Sequence, residues 1–324
     1  MINWGIVGCG RIAATFAQAL SGVEDACLLA AAARDLGRAE AFAERWNVKR
    51  AYGSYEELAA DPDVDVVYIA VPHGLHMAAS ILCMNAGKHV LCEKPMALNA
   101  AQAEEMFAAA KRNHVFLMEA FWTKFLPVTE KIRSWIREGL LGEILTIDAK
   151  FCYEDPGRAK ERLFNPAMGG GALLDVGIYP IAFVNHILGE LPEKMVSAAH
   201  VAGGVDEYNS MLLTYPCGTI ANLSSAIVLD MEERAVIVGT KARIDLNRYW
   251  RAQEVELTDH AGHVLERFEA PHRVNGYEYE AEEVCRCIRE GRTQSDRHTW
   301  QHTLDALRIM DELRAQWGLV YPGE

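Results

Sequence analysis

The most constraining stretch of the sequence is its first twenty residues, in which a short apolar strand turns through glycines into a small-residue amphipathic helix. The turn reads Gly8-Cys9-Gly10-Arg11-Ile12-Ala13, and the helix continues to about Leu20. In this order the first glycine permits a tight turn, the second lets the backbone approach a pyrophosphate, and the alanine keeps helix and strand close. The helix start offers N–H donors and a partial positive charge to phosphate. The stretch predicts a dinucleotide-binding βα unit with Gly8, Cys9, Gly10, Arg11 and Ile12 as cofactor contacts; a βα turn without a ligand is the alternative.

Length and composition limit the class of protein. At 324 residues the chain can form two domains, each with a sizeable core. The formal net charge of -13 argues against nucleic acid or an anionic membrane as a partner. The eight cysteines contain no C-x-x-C pair, so we expect free thiols in a reducing cytoplasm and no metal site. No signal peptide precedes the first strand and no apolar run reaches membrane-spanning length, which also favours a cytoplasmic location.

The first third of the chain alternates apolar strand segments with helical segments. Strands are predicted near residues 27–33, 50–52, 64–71, 89–92 and 115–118, and helices near residues 36–46, 55–60, 77–86 and 100–112. Strict alternation of this kind indicates a parallel, doubly wound sheet. The sequence therefore predicts a dinucleotide-binding Rossmann domain over residues 1–121.

The pattern changes after Phe121, where the strands become longer and alternate in polarity. Ile144–Phe151 is one such strand, and Met211–Tyr215 forms a predicted hairpin with Thr219–Leu223. Helices near residues 171–188, 277–289 and 299–317 can cover only one side of a sheet built from these strands. We therefore predict a substrate-binding and oligomerisation α/β domain over residues 122–324, with a large open, mainly antiparallel sheet whose free face forms a homodimer or homotetramer.

Cofactor choice is readable at the end of the second strand, where an NAD site carries an Asp or Glu that bonds the ribose 2′-hydroxyl. Here the chain has Ala33 and Arg34, with Arg38 one turn into the next helix. A guanidinium about 4 Å from a phosphate gains roughly 4 kcal/mol at an effective dielectric near 20, so the pattern favours NADP(H) over NAD(H). Asp35 leaves NAD use open, because a small rotation aims its carboxylate at the ribose. Two surface arginines that only begin a helix are the other interpretation.

Two further motifs carry groups suited to proton transfer. Glu93-Lys94-Pro95 follows the fifth strand, at the sheet edge where open α/β proteins bind ligands, although an exposed loop lysine is the commoner arrangement. Gly169-Gly-Gly leads into a helix in which Asp175 and Tyr179 are four residues apart and so share a face. A free tyrosine has a pKa of about 10, which a nearby lysine ammonium lowers. A core helix with one satisfied polar pair is the alternative.

Together these three motifs occur in the order and spacing of the glucose–fructose oxidoreductase/inositol dehydrogenase (Gfo/Idh/MocA) family, which nearly the whole chain resembles. Within the family, Met118–Lys124, Arg162–Asn165 and the tyrosine that ends the third motif are most similar to the branch of dimeric dihydrodiol dehydrogenases and NADP-dependent D-xylose dehydrogenases. The resemblance implies an N-terminal Rossmann domain and a C-terminal α/β domain whose open sheet makes subunit contacts.

The resemblance also implies roles for individual residues. Lys94 would lie between nicotinamide and substrate, Tyr179 would act as the general acid/base, and Asp175 would orient the substrate or Lys94. The residues that match the cofactor-side loops of the family are Pro72, His76 and Glu93. The candidate aromatic walls of the substrate site, for each of which core packing is an equal alternative, are Trp122, Phe125, Tyr153 and Trp250.

These expectations combine into an NADP(H)-dependent oxidoreductase that transfers hydride between nicotinamide and an alcohol or carbonyl carbon of a sugar, polyol or trans-dihydrodiol. Two alternatives stay open. One is an NAD-linked cyclitol or sugar dehydrogenase, which a direct comparison of the two cofactors distinguishes. The other is a non-catalytic nucleotide-binding sensor, which the presence of both Lys94 and Tyr179 disfavours.

Overall fold

A computed structural model describes residues 1–155 and 160–324. In it the chain divides into two compact units, the first formed by Met1–Trp122 with His272–Leu304 and the second by Thr123–Pro271 with Asp305–Glu324. The sequence predicted domains of 1–121 and 122–324, so the structure differs in placing a late segment of the chain with the first unit.

Side-chain contacts explain why the late segment belongs to the first unit. The Asn275 side-chain amide donates to the carbonyl oxygen of Thr15 at 2.9 Å, and the guanidinium of Arg289 pairs with Asp25 at 2.7 Å. These partners lie about 260 residues apart in sequence, beyond the reach of local patterns.

The first unit begins with the predicted alternation of strands and helices. Its elements in chain order are β1 (Ile2–Val7), α1 (Arg11–Leu20), β2 (Ala26–Ala32), α2 (Leu36–Trp46), β3 (Arg50–Tyr52), α3 (Tyr55–Ala60), β4 (Val66–Ile69), α4 (His76–Asn85), β5 (His89–Glu93), α5 (Ala100–Asn113) and β6 (Leu117–Ala120). The strands are all parallel in the order β3-β2-β1-β4-β5-β6, so the predicted doubly wound sheet is confirmed. The strand order reverses between β1 and β4, which is where such sheets open a ligand crevice at the carboxyl ends of their strands.

The second unit is built around a larger sheet. Its elements are α6 (Pro127–Arg137), β7 (Ile144–Cys152), α7 (Lys160–Leu163), α8 (Ile178–Leu188), β8 (Lys194–Ala202), β9 (Val205–Thr214), β10 (Ile220–Ala226), β11 (Arg234–Gly239), β12 (Arg243–Asn247), β13 (Glu254–Thr258) and β14 (Val264–Glu269). The chain then continues with α9 (Glu278–Arg289), which belongs to the first unit, and α10 (Trp300–Trp317), in which the division falls after Leu304. The strand order is β14-β13-β12-β11-β7-β10-β9-β8, and only β7 and β10 run parallel among the neighbouring pairs described. The expected mainly antiparallel sheet is therefore confirmed.

The two faces of this sheet differ sharply in exposure. On β9, Leu213 is fully buried whereas its neighbour Leu212 is 42% exposed. Leu212 is paired across the strands with Val196 on β8, which is 68% exposed. Since paired residues share a face, apolar side chains stand on the uncovered side as well as on the packed side.

The sequence analysis expected no run of membrane-spanning length, but among the residues described one segment, Pro166–Leu188, is long and apolar enough when judged by length and composition alone. Its most apolar window is 89% buried inside the protein. Such burial is typical of a core helix, and this helix packs against β7 and β10.

Candidate active site

The glycine turn after β1 has the geometry that its sequence predicts. Gly8 has a φ of +97°, and a Cβ there would lie 2.5 Å from the carbonyl oxygen of Ala70, so only glycine fits. Gly10 precedes α1 as its N-cap, and a Cβ built on it would meet no atom within 4 Å. Ala13 is fully buried against the sheet. The turn is therefore tightly packed at Gly8, whereas the space beside Gly10 is open.

This turn fits the pyrophosphate of a dinucleotide. The first turn of α1 carries no acidic residue, so nothing there opposes the partial positive charge of the helix start. Arg11 is exposed, whereas Cys9 and Ile12 are half-buried. The Cys9 thiol donates to the carbonyl oxygen of Ala32 at 3.6 Å, and burial raises its pKa to about 11, so it is a neutral, structural group.

Two arginines and one carboxylate follow β2, and the carboxylate is hydrogen-bonded to the next helix. Asp35 is the N-cap of α2, and its Oδ1 accepts the backbone N–H of Arg38 at 2.9 Å. Arg34 and Arg38 are exposed, and within the described residues neither forms an ion pair. The positive charge of Arg38 lowers the pKa of the Cys9 thiol, although the effect of burial is larger. The Arg38 guanidinium therefore lies near the glycine turn.

A surface groove of about 700 Å³ runs beside the glycine turn between α1 and α2. Three of the side chains that line it are arginines, in a chain whose net charge is -13. The groove residues are Cys9, Gly10, Arg11, Ala14, Thr15, Gln18, Arg38, Ala41, Phe42, Arg45 and Trp46. A local positive field of this kind suits an anionic ligand.

The loop after β4 carries the predicted Pro72 and His76. Pro72 is half-buried, but His76 is fully buried, and its ring nitrogens lie 2.9 and 2.8 Å from the carbonyl oxygens of Val71 and Pro95. Burial lowers the pKa of His76 to about 4, so the ring is neutral and donates to one of the two carbonyls. His76 thus lies between the loop after β4 and the loop after β5 and is a buried structural group.

Glu93-Lys94-Pro95 follows β5, as the sequence predicts, and the Lys94–Pro95 peptide bond is cis. Lys94 is half-buried, and its backbone N–H donates to Oε2 of Glu93 at 3.1 Å. Oε1 of Glu93 accepts the hydroxyl of Tyr68 from β4. Burial and the charge of Glu93 raise the pKa of Tyr68 well above its usual value, so the phenol remains a donor. The Glu93 carboxylate is therefore held between two donors.

A buried carboxylate on β6, which the sequence analysis did not single out, supports the same turn. Oε1 of Glu119 accepts the backbone N–H of Met96 at 2.9 Å, while its Oε2 lies 3.1 Å from His298 Nε2 and accepts the hydroxyl of Thr303 at 3.0 Å. Burial alone would raise the pKa of Glu119, but these hydrogen bonds and the His298 charge hold it below the usual value. The backbone that carries Lys94 is thus fixed on both sides of the cis bond.

In the second unit, Asp175 lies in a local structure that the sequence did not predict. Residues Leu173–Gly177 form a π turn before α8, whereas the sequence predicted one continuous α-helix. In a π turn the backbone bonds reach five residues, so the four-residue spacing of Asp175 and Tyr179 does not stack them as in an α-helix. Such turns occur often at functional sites.

The Asp175 carboxylate holds two side chains from outside its helix. Its Oδ2 accepts the hydroxyl of Tyr153 at 2.9 Å, and its Oδ1 pairs with the guanidinium of Arg162 at 2.9 Å. The Asp175 side chain is only 10% exposed. Arg162 was noted in the sequence only as part of the family resemblance, because a partner thirteen residues away on another helix leaves no periodic signal.

Tyr179 belongs to an aromatic cluster that includes two of the four predicted substrate walls. Its ring centroid lies 5.2 Å from Phe151 and 6.3 Å from Trp250, and these two stack at 5.0 Å. Tyr153 lies on the other side of Phe151, with ring centroids 6.3 Å apart. The indole N–H of Trp250 donates to Glu233 at 3.2 Å. Tyr179 therefore lies among aromatic side chains, and the Glu233 carboxylate that accepts the Trp250 N–H is a polar group at the edge of this cluster.

The other two predicted walls are Trp122 and Phe125. Trp122, in the first unit, stacks on Tyr277 with ring centroids 4.3 Å apart and meets the edge of His272. Phe125, in the second unit, is buried. Trp122 and Phe125 are three residues apart in sequence but belong to different units.

Taken together, the fold and these groups define a two-unit α/β protein that carries a dinucleotide-binding Rossmann sheet. Comparison with known proteins gives the same class. The family model described as "Oxidoreductase family, NAD-binding Rossmann fold" matches residues 2–121, and the "GFO/IDH/MocA C-terminal domain" matches residues 129–245. The chain belongs to the GFO/IDH/MocA family and is an NAD(P)-dependent oxidoreductase. The family and fold expected from the sequence are confirmed.

Individual relatives match over their whole length. The chain is 39% identical to a trans-1,2-dihydrobenzene-1,2-diol dehydrogenase of Xenopus tropicalis, over 99% of each chain. Among solved structures, the aldose-aldose oxidoreductase of Caulobacter crescentus superposes with a TM-score of 0.88 at 26% identity, covering 98% of each chain. A 3-ketoreductase of Actinomadura kijaniata in complex with NADP and TDP-benzene gives 0.87 at 27% identity, covering 97% of each chain.

Proposed function

We propose that this protein is an NADP(H)-dependent oxidoreductase that interconverts an alcohol and a carbonyl on a trans-dihydrodiol, sugar or polyol. The observation that carries the proposal is the setting of Tyr179, a phenol inside the aromatic cluster of Phe151 and Trp250. Flat aromatic walls suit the ring of a dihydrodiol or the apolar face of a sugar. The dihydrodiol dehydrogenase activity of the 39% identical relative supports the same substrate class.

The catalytic residues of the proposal are Lys94, Tyr179 and Asp175. When bound, the nicotinamide supplies the hydride acceptor or donor. In the oxidative direction Tyr179 accepts the hydroxyl proton of the alcohol as its phenolate, which a neighbouring Lys94 ammonium favours, and in the reverse direction the neutral phenol donates that proton to the carbonyl oxygen. The Lys94 ammonium also stabilises the negative charge that develops on the substrate oxygen. Asp175 orients the site by holding Tyr153 and Arg162.

Cofactor preference follows from the end of β2. Arg34 and Arg38 supply two guanidinium groups for a 2′-phosphate, while the Asp35 carboxylate is occupied by the backbone N–H of Arg38. The groove beside α1 supplies Arg11 for the same anionic ligand. We therefore favour NADP(H) over NAD(H), with Gly8, Cys9, Gly10, Ile12, Pro72, His76 and Glu93 shaping the remaining contacts.

The proposal extends to assembly and location. The exposed apolar residues of β8, β9 and β10 form the face through which we expect a homodimer or homotetramer. The eight free cysteines favour a reducing cytoplasm. In this proposal the Rossmann unit binds the dinucleotide, and the unit that contains the large sheet binds the substrate and the partner subunit.

A fluorescence titration with NADPH and with NADH tests the cofactor part directly. We expect NADPH to bind at least about tenfold more tightly, since one charge-assisted hydrogen bond contributes about 1.5–3 kcal/mol. Turnover is then measured with trans-1,2-dihydrobenzene-1,2-diol, with aldoses and with cyclitols. Tighter NADH binding together with cyclitol oxidation would support the NAD-linked alternative, and tight NADPH binding without any turnover would support a sensor.

A further inference from the structure

A fully buried carboxylate lies beneath the π turn that carries Asp175. Asp206, at the start of β9, accepts the backbone N–H of Leu173 through its Oδ2 at 2.8 Å. Leu173 is the first residue of the π turn. A Cβ on Gly171 would lie 2.4 Å from Asp206 Oδ1, so no larger residue fits at position 171 unless this carboxylate moves. Asp206 thus contacts the backbone immediately before and at the beginning of the turn.

Two neighbouring polar groups continue from Asp206 to the other end of the turn. The Asn209 amide donates to Asp206 Oδ2 at 2.8 Å, and the Asn209 carbonyl oxygen accepts the hydroxyl of Ser225 on β10 at 3.0 Å. A Cβ on Gly177, the last residue of the π turn, would lie 2.8 Å from Ser225 Oγ. Asp206, Asn209 and Ser225 are all buried, and we name them the polar line.

A buried polar row in an otherwise apolar sheet–helix interface needs a compensating role, because each of its groups loses hydration. The Leu173 N–H lies in the first turn, where a helix satisfies no donor internally, so Asp206 anchors the start of the turn. An α-helix over residues 173–177 would move the Gly177 backbone relative to Ser225, and that close approach would be lost. Pro180 has no N–H to donate to the carbonyl oxygen of Val176, which disfavours α-helical bonding at the end of the turn, and the polar line holds the backbone at its start.

We propose that the polar line Asp206–Asn209–Ser225 is a positioning element that, together with Pro180, imposes the π turn and thereby sets the placement of Asp175 and Tyr179. The catalytic part of this inference rests on the proposed function, whereas its structural part does not. Asp206 touches no substrate in this scheme. It acts through the backbone of Leu173, and the alignment of the carboxylate and the phenol follows from the turn.

Asp206→Ala removes the acceptor, and Asp206→Asn retains a carbonyl oxygen in its place. In a crystal structure of Asp206→Ala we expect the π turn to be lost, and in hydrogen exchange we expect the Leu173 amide to exchange at least about tenfold faster. Asp206→Asn should restore both. A π turn that is unchanged in Asp206→Ala would overturn the inference.

Kinetics supply the functional measurement, with trans-1,2-dihydrobenzene-1,2-diol and NADP as the probes. Asp206→Ala should lower kcat by about tenfold to a hundredfold with little change in KM, since misplacement of about 1 Å can cost a hundredfold. Asp206→Asn should stay within about threefold of the parent. Leu213→Ala, on the same strand and equally buried but outside the polar line, controls for lost stability and should keep its kcat. An equal loss of kcat in Leu213→Ala at matched stability would contradict a positioning role.

Two further variants keep the test decisive. If Asp206→Ala does not fold, Asn209→Ala interrupts the same line between Asp206 and Ser225 and should accelerate exchange at Leu173, and unchanged exchange there would refute the inference. Tyr179→Phe separates this inference from the proposed function. Full activity in Tyr179→Phe would remove the acid/base role, while the effect of Asp206 on the π turn would stand or fall on its own measurement.

Discussion

The hydroxyl of Tyr153 donates to Oδ2 of Asp175 at 2.9 Å, and this hydrogen bond separates the functions of the two phenols in the aromatic cluster. Burial and the Asp175 charge raise the pKa of Tyr153 far above its usual value, so Tyr153 stays protonated across the range in which an enzyme is assayed. A phenol that cannot release its proton is a structural donor. Tyr179 is the other phenol, and it is the one to which we assign proton transfer.

Phenylalanine substitutions distinguish the two tyrosines. Tyr179→Phe should lower kcat by about 10²- to 10⁴-fold, the usual contribution of general acid–base catalysis, and should flatten the pH profile of kcat. Tyr153→Phe should lower kcat less than about tenfold and keep the profile, because it removes only one hydrogen bond to Asp175. Steady-state kinetics from pH 6 to pH 10 check both. The reverse order of effects would transfer the acid/base role to Tyr153.

Lys94 should matter for turnover and not for cofactor affinity. Lys94→Ala removes the positive charge proposed to stabilise the developing oxyanion, and we expect kcat to fall by about a hundredfold or more. NADPH should still bind within about threefold of the parent affinity, as followed by fluorescence titration. Lys49→Ala, an exposed lysine of the same unit, is the matched control and should have no effect. Unchanged turnover in Lys94→Ala would remove this lysine from the mechanism.

Arg34 and Arg38 should determine which dinucleotide is preferred. The double variant Arg34→Ala/Arg38→Ala removes two guanidinium partners of a 2′-phosphate, so NADPH affinity should fall by about a hundredfold or more while NADH affinity changes less than about threefold. Lys49→Ala/Arg112→Ala removes the same charge from exposed positions of the same unit and should leave both affinities unchanged. Equal losses for both cofactors in the arginine variant would refute the 2′-phosphate assignment.

Local patterns predicted the Rossmann half well because its elements are specified by neighbouring residues. Gly8 and Ala13 act within one βα unit, and the fully buried strand β4 is recognisable from its own composition. The π turn was not predicted, because the Asp206 and Ser225 contacts that fix it lie thirty to fifty residues further along the chain, and Pro180 alone does not specify this form of irregularity. For the same reason the sequence did not predict that the segment after His272 belongs to the first unit, since its contacts with Thr15 and Asp25 are long-range.

The exposed face of the large sheet should be an interface between copies of this chain. Val196 and Leu212 stand side by side on neighbouring strands and are both exposed. Leu212→Asp places a charge in an apolar contact, and we expect it to shift the mass measured by size-exclusion chromatography with light scattering to that of a single chain. Val264→Asp, an exposed apolar position on the edge strand β14, is the comparison and should not change the mass. A parent protein that is already monomeric would contradict the prediction.

Asp206 should make stability depend on pH in a direction set by its burial. Burial raises the pKa of Asp206 to about 7. The hydrogen bonds from Asn209 and Leu173 and the charge of Arg314 lower this pKa, but their effect is smaller than that of burial. The other titratable groups nearby are the Tyr321 phenol and the Glu324 carboxylate beside Arg314. Because the folded carboxyl holds its proton more tightly than the unfolded one, its contribution is most favourable below about pH 4 and is lost as the pH rises to about 7.

Asp206→Asn removes this titration without removing the acceptor of the Leu173 N–H. A difference of about three pKa units corresponds to about 4 kcal/mol, so the variant should gain up to that much free energy of unfolding relative to the parent between pH 4 and pH 7 and no more above it. Urea denaturation of both proteins at four pH values measures the difference, in which groups common to both cancel. A constant difference across that range would mean that Asp206 is ionised in the folded protein already at pH 4, because the surrounding donors then outweigh its burial.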